Sequence, residues 1–417
     1  MAKKYFLVLL LGFILLANGC WDRRELESLS LVEALGLDLG EDRKEVIVTT
    51  MIALPSQISG GPPGGGGGGG SQAASFAITM AAPTIYEAFN RINTSINREI
   101  TLIQTTALII GEDMAKQGVD HLMDTVIRFR EMRRTMLFFV CRGKAADILK
   151  VHPKLEKNPS EYFNDLSRLN TRNGMFPRTT LNNFLETYEA YAQENYAPVL
   201  AKYKPMDSGE SSQDKKKGEQ EKKGDSKPDQ KPEEAIRITG TAIFKKAKMV
   251  GTFDIYESQV LQLLTGNFRE AALTISDPKQ PDYNISFRLL ATNPLGIKFI
   301  SPAGGQGDKL QVNLKLEAEI LSIQSGINYT SPKNEILLGK QIVKELKRRI
   351  QKVIYKAQKE YGSDVFGFGK TVRSTFLTST AWDKYSWPER FPNAKISVNV
   401  KVALRRVGVQ LHPPKLR

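Results

Sequence analysis

Two stretches of this chain alternate apolar and polar residues without a break. Leu310, Val312, Leu314, Leu316, Ala318 and Ile320 form one series, and Ile396, Val398, Val400, Val402 and Leu404 form the other. Side chains of a strand point alternately to opposite faces, so each series predicts a strand with one face on a core and one in solvent. Between them, the segment 335–361 carries Ile342, Val343, Leu346, Ile350, Val353 and Ile354 at helical spacing, with Lys and Arg on the opposite side. A half-apolar sheet and a half-apolar helix bury their faces on each other. The simplest architecture is an antiparallel sheet with helices on one side.

The residues before these strands extend the same unit. A hairpin is expected from 236–244 and 249–253 across Lys245–Lys248, then a helix over 256–264 ended by Gly266, and strands at 271–276, 285–291 and 296–300. Upstream, 207–234 contains seven lysines and nine acidic residues, with no aromatic or β-branched residue. Such a tract cannot bury enough apolar area to offset its ordering entropy, so it reads as a disordered spacer or surface loop. Residues 153–205 read as a smaller unit with helices over 159–169 and from Thr179 or Thr180 to 191, and a strand at 197–203. Residues 21–150 alternate strands and helices, with Leu31–Leu39 and 45–54 as a strand pair. Seven consecutive glycines, Gly64–Gly70, interrupt this part. No Gly-Lys-Ser/Thr follows them, so a phosphate loop is excluded and a flexible loop over 60–71 remains.

The resulting division is a leader over 1–19, an N-terminal α+β domain over 20–152, a small middle domain over 153–205, a charged linker over 206–234 and a C-terminal α+β domain over 235–417. The fold class is α+β, with three domains of mixed sheets packed with helices.

The leader begins Lys3-Lys4, continues through an apolar run of 13 residues from Tyr5 to Ala17, and ends Asn18-Gly19-Cys20. A spanning helix needs about 20 apolar residues, so the run reads as an export signal rather than an anchor. A cysteine directly after a small residue is the place where a bacterial lipoprotein is lipidated on sulfur and then cut, which makes Cys20 the lipidation candidate. An ordinary signal peptide and an uncleaved short membrane segment are the other readings. If Cys20 is lipidated, Cys141 is the one remaining cysteine and no internal disulfide forms. It lies in the apolar run Met136–Cys141, as a buried small residue would. The net charge of +14 does not come from the charged linker. For an exported chain it suits an anionic lipid or wall surface, or simply a basic solvated exterior, and does not suit nucleic acid.

Catalytic motifs are absent. The three histidines, His121, His152 and His412, have no metal-site spacing, and neither His-Glu-x-x-His nor Gly-x-Ser-x-Gly occurs. The two Ser-x-x-Lys matches, at Ser212–Lys215 and Ser276–Lys279, fall in the charged tract and in an expected turn. No catalytic, cofactor or metal residue is assigned, and the chain is expected not to be an enzyme. The aromatic and glycine cluster near the end, with Phe366, Phe368, Trp382 and Trp387, reads either as a satellite core or as a partner surface to which Trp21 and Asp22 would also belong.

Several segments together carry a resemblance. They are Gly19-Cys20-Trp21-Asp22-Arg23-Arg24-Glu25-Leu26, Thr84-Ile85-Tyr86-Glu87-Ala88 and Ile109-Ile110-Gly111-Glu112-Asp113-Met114-Ala115-Lys116-Gln117-Gly118. Further along are Gly240-Thr241-Ala242-Ile243-Phe244-Lys245-Lys246, Met249-Val250-Gly251-Thr252, Asp364-Val365-Phe366-Gly367-Phe368-Gly369 and Trp387-Pro388. In order and spacing the chain resembles the Ger(x)C family, the lipoprotein C subunits of nutrient germinant receptors in spore-forming bacteria. The resemblance implies a three-domain α+β protein, lipid-anchored through diacylglycerol on Cys20 to the outer face of the spore's inner membrane. It implies A-type and B-type integral membrane subunits as partners, and a role in receptor assembly and signalling without catalysis. A solute-binding lipoprotein of a transporter is the alternative, and a wall-modifying hydrolase a third reading.

Overall fold

The computed structural model describes residues 25–54, 75–151, 159–203, 234–292, 294–300, 307–329 and 331–406, together with Tyr5. Cys20, Trp21, Asp22, the glycine tract and all of the charged linker except Glu234 lie outside the described residues.

Chain order in the first half gives strands β1 (Leu29–Leu39), β2 (Val46–Ala53), β3 (Ser75–Ala82), β4 (Glu99–Thr101), β5 (Ala107–Gly111), β6 (Leu137–Cys141), β7 (Tyr196–Tyr203), β8 (Ala235–Lys245) and β9 (Lys248–Phe253). They form one nine-stranded sheet in the order β3-β2-β1-β5-β6-β7-β8-β9, with β4 beside β1. The centre, β1-β5-β6-β7, is parallel, and antiparallel hairpins flank it on both sides. Parallel neighbours need crossovers, and these supply α1 (Ile85–Asn93), α2 (Glu112–Gln117), α3 (Asp120–Arg128), α4 (Ala145–Leu149), α5 (Pro159–Arg172) and α6 (Leu181–Ala190). Both faces are covered. Leu108, Ile110, Phe138 and Val140 pack under α1, α2, α3 and α6. Their neighbours Ala107, Ile109, Leu137 and Phe139 pack under α4 and α5. That is why β5 and β6 are continuous apolar runs rather than alternating ones.

Strand pairing crosses the composition boundaries of the sequence. β7 from the expected middle unit and β8–β9 from the expected C-terminal unit all join the first sheet, and Leu200, Ile236 and Ile238 continue its apolar face. Tyr203 lies opposite Ala235, so the charged segment leaves and re-enters at adjacent strand ends.

The second sheet has five strands: β10 (Glu270–Ser276), β11 (Asn284–Ala291), β12 (Gly296–Ile300), β13 (Lys309–Ile323) and β14 (Lys395–Arg406). β10 to β13 pair antiparallel. β14 pairs parallel to β13, because the chain returns through helices: α8 (Pro332–Tyr355), a π-helical turn at Lys356–Tyr361, then α9 (Phe368–Arg373), α10 (Ser379–Tyr385) and α11 (Trp387–Arg390). The alternating residues of β13 are buried at every second position. Leu338, Ile342, Leu346, Ile350, Val353 and Ile354 of α8 are buried in the same core. α7 (Ile255–Thr265) links the two sheets.

Candidate functional site at the joint between the two sheets

α7 follows the last strand of the first sheet and precedes the first strand of the second. From Glu257 to Leu264 it is buried on every side, polar residues included. Asp254 and Glu257 start it with a reciprocal capping box: the Asp254 carboxylate accepts from Glu257 N at 2.8 Å, and Glu257 Oε2 accepts from Asp254 N at 3.0 Å. Gly266, in the left-handed conformation, ends it. Its buried polar groups reach different elements. The Ser258 hydroxyl bonds that of Thr241 on β8 at 2.7 Å, and Gln262 Nε2 donates to Phe176 O at 2.8 Å. Lys356 Nζ donates to Glu257 Oε2 at 2.7 Å and to Thr252 O at 3.1 Å.

The segment 361–369 closes the joint. Tyr361 donates to Thr252 O at 2.9 Å, and Ser363 Oγ donates to Phe244 O at 2.6 Å, both onto the β8–β9 hairpin. The loop before β7 binds it as well: Glu194 N donates to Asp364 O at 2.9 Å and Gln193 Nε2 to Val365 O at 2.9 Å. The Tyr361 ring lies where a side chain at position 251 would stand, since a Cβ on Gly251 would be 2.5 Å from Tyr361 Cζ and 2.7 Å from its hydroxyl oxygen. Only glycine admits that approach.

Asp364 is the centre of this segment and is 3% exposed. Its Oδ1 accepts from Phe368 N at 3.2 Å, and its Oδ2 accepts from Gly369 N at 2.7 Å and Trp387 Nε1 at 2.8 Å. Burial pushes the carboxyl up to about 6 although Trp387 and the backbone N–H groups of Gly369, Phe368 and Gly367 pull it down. Gly369 is held as tightly: a Cβ there would meet Ala192 O and lie 2.5 Å from Trp387 Cδ1. The Asp364–Gly369 and Trp387 segments, 23 residues apart, are thus one hydrogen-bonded unit.

The aromatic partner surface expected at Phe366, Phe368, Trp382 and Trp387 is corrected by this geometry. All four are buried, at 3, 0, 5 and 1% exposure. Phe366 and Phe368 pack on each other, Trp387 on Phe391, and Trp382 on Phe376 and Tyr385. They fill the space between the second sheet and the joint, so they are core. Trp21, Asp22 and Cys20 are outside the described residues. Cys141 is buried with a free thiol that burial pushes well up, which removes its reactivity. Among the described residues no group of three His, Cys, Asp or Glu is placed to hold a metal ion. Ser276–Lys279 is a turn in which Asp277 Oδ1 accepts from Lys279 N at 2.7 Å. Sequence reasoning gave no role to Asp364, Gly251, Tyr361 or Gln193, although the first two lie in the segments that carry the resemblance. An acidic residue inside an apolar, glycine-punctuated run was the one available signal.

The two halves of this arrangement match known protein domains. Residues 22–202 match the spore germination protein N-terminal domain. Residues 239–408 match the domain described as spore germination B3/GerAC like, C-terminal. The chain belongs to the Ger(x)C family of spore germination proteins. Similar family members include YfkR of Bacillus subtilis (strain 168), 28% identical over 97% of both chains. Spore germination protein KC of the same organism is 25% identical over 100% of this chain and 98% of its own. Spore germination protein B3, also from that organism, is 24% identical over 95% of this chain and 96% of its own. The crystal structure of the GerBC protein superposes with a TM-score of 0.49 at 18% identity, covering 92% of this chain and 99% of that one. In this Ger(x)C chain, the segments that carry the family resemblance in the second half, Gly240–Lys246, Met249–Thr252, Asp364–Gly369 and Trp387-Pro388, all meet at the joint. Those of the first half serve its own sheet. Thr84 Oγ1 caps α1 by accepting from Glu87 N at 3.2 Å. Gly111 ends β5 where α2 begins, and Gly143 N donates to Glu112 Oε2 at 3.3 Å.

Proposed function

We propose that this chain is the lipid-anchored C subunit of a nutrient germinant receptor, working with A-type and B-type membrane subunits by assembly and signalling rather than by catalysis. The carrying observation is end-to-end similarity: both family domains are present in order, and spore germination protein KC aligns with the whole chain. The non-catalytic reading draws support from where the resembling segments lie. The Asp364 carboxylate is taken up by the backbone N–H groups of Phe368 and Gly369 and by the Trp387 indole N–H, and Gly251 makes room for the Tyr361 ring, so these residues serve the joint.

Among the described residues no helix is long and apolar enough to cross a membrane. In this reading the anchor is diacylglycerol on Cys20. Each buried methylene contributes ~0.8 kcal/mol, so two acyl chains hold a protein stably where one does not. The exported body then sits on the outer face of the membrane beside its integral partners.

The test replaces Cys20 by serine at the native locus. The variant is expected to leave the membrane fraction, to lose co-purification with the A-type and B-type subunits, and to delay germination in nutrient. Unchanged fractionation and a normal nutrient response would refute the anchoring role. Normal fractionation without any co-purifying membrane subunit in the unsubstituted strain would refute the receptor assignment.

A further inference from the structure

Helix α8 turns its apolar stripe to the second sheet and leaves the opposite face uncovered. That face carries Lys333, Lys340, Lys344, Arg348 and Lys352, and Lys359 continues it into the π-helical turn; all six are exposed. No acid interrupts the row. Glu335 lies in the first turn, Glu345 is 20% exposed and holds Arg348 and Arg349, and Glu360 follows the last turn. Lys333, Lys340, Lys344 and Lys352 form no ion pair among the described residues. A helix face that meets only water gains stability by alternating Glu with Lys at i and i+4. Here Lys340, Lys344, Arg348 and Lys352 repeat one sign at each step of four, and like charges at that spacing disfavour the helix. An opposite charge lying along the face removes that cost. Ile336 and Leu337 near one end and Tyr355 near the other are 61, 40 and 61% exposed on the same side. From Lys333 to Tyr355 the row runs for about 33 Å, at 1.5 Å per residue. A long row of flexible lysines matches an extended plane of charge, and apolar and aromatic residues at its ends are of the kind that enter a lipid headgroup layer.

We propose that this face of α8 lies on an anionic phospholipid surface, with the six cations over the headgroups and Ile336, Leu337 and Tyr355 dipping among them. The contact belongs to the folded body and needs no acyl chain on Cys20. Where that chain is present, the face sets the orientation of the body: α8 lies along the bilayer, with the second sheet behind it.

Vesicle sedimentation of the chain from Trp21 onward, which carries no acyl group, tests it independently of the Cys20 substitution. The chain is expected to sediment with phosphatidylcholine vesicles containing about 30% phosphatidylglycerol, to stay in solution with phosphatidylcholine alone, and to be released as salt rises. Each lysine near such a surface contributes roughly a five-fold factor at low salt. Lys340→Gln, Lys344→Gln and Lys352→Gln combined should therefore weaken partitioning by roughly a hundred-fold, without lowering the urea midpoint. Lys44→Gln, Lys315→Gln and Lys401→Gln combined make the same change in net charge at exposed lysines on other elements, and should keep partitioning within about three-fold of the unsubstituted chain. Equal loss in the two triple variants would overturn the proposal, because overall charge rather than this face would then attract the vesicles. So would equal sedimentation with neutral and anionic vesicles, or no binding to anionic vesicles at all, as when the row faces an acidic protein instead.

Discussion

Replacing Asp364 by asparagine tests which force governs the joint. The wild-type carboxyl is pushed from 3.8 up to about 6 by burial, against four donors that favour its ionised form. A raised acid means that the folded state holds its proton more tightly than the unfolded chain does. Stability from this group is therefore full below about pH 4 and falls as pH rises through about 6. A shift of about two units corresponds to roughly 3 kcal/mol, lost between pH 4 and pH 7. Asparagine has the same shape and does not titrate. Its carbonyl oxygen can serve the Gly369 and Trp387 donors as Oδ2 does, but its NH2 cannot accept from Phe368 N–H, whereas the hydroxyl oxygen of a protonated carboxyl still can. At pH 4 the variant should then be the less stable by ~1 kcal/mol. By pH 7 the variant should be the more stable by roughly 2 kcal/mol. Urea unfolding of the chain from Trp21 onward, followed by the fluorescence of the buried Trp382 and Trp387, reads this unit directly. Taking the difference between the two proteins at each pH cancels every other titrating group. Parallel stability curves would refute the argument, and a variant that loses ground as pH rises would show that the donors outweigh desolvation.

Two further outcomes follow from the geometry. Gly251→Ala should destabilise by roughly 2–4 kcal/mol because its Cβ enters the Tyr361 ring, and combining it with Tyr361→Ala should return at least ~1 kcal/mol of that in a double-mutant cycle by the same unfolding assay; additivity would mean that the two do not meet. Glu33 is buried with Oε2 unpartnered, and burial with the nearby Glu161 pushes it up to about 7, so Glu33→Gln should raise stability by about 2 kcal/mol at pH 8 and leave it nearly unchanged at pH 4, measured by urea midpoint; equal effects at both pH values would contradict this.

Local patterning made most elements legible. The strict alternation of Leu310–Ile320 became β13, the stripe from Ile342 to Ile354 became the buried face of α8, and Thr180 capped α6. Within 102–111 only Ala107–Gly111 is strand, because the polar triplet Gln104-Thr105-Thr106 lies in a turn, with Thr105 N bonded to Leu102 O at 3.0 Å. Sheet membership was not legible. Composition breaks at the charged segment, whereas pairing of Tyr203 with Ala235 depends on the register of two strands that the break separates. The aromatic cluster shows the same limit. Trp387 in a polar, loop-rich context looks like an exposed anchor until Asp364, distant in sequence, supplies the buried acceptor for its indole N–H.

The bonds across the joint constrain how the two sheets can move relative to each other. Tyr361 to Thr252, Ser363 to Phe244, Glu194 to Asp364 and Gln193 to Val365 each tie one sheet's elements to the other's. A hinge rotation between the sheets would leave buried donors and acceptors unmade, at ~1–3 kcal/mol for each group left unsatisfied. Breaking several together exceeds the 1–3 kcal/mol that couples sites in typical regulation. Large motions of this protein are therefore expected to carry both sheets as one body, or to be confined to segments at its edges, rather than to bend it at α7.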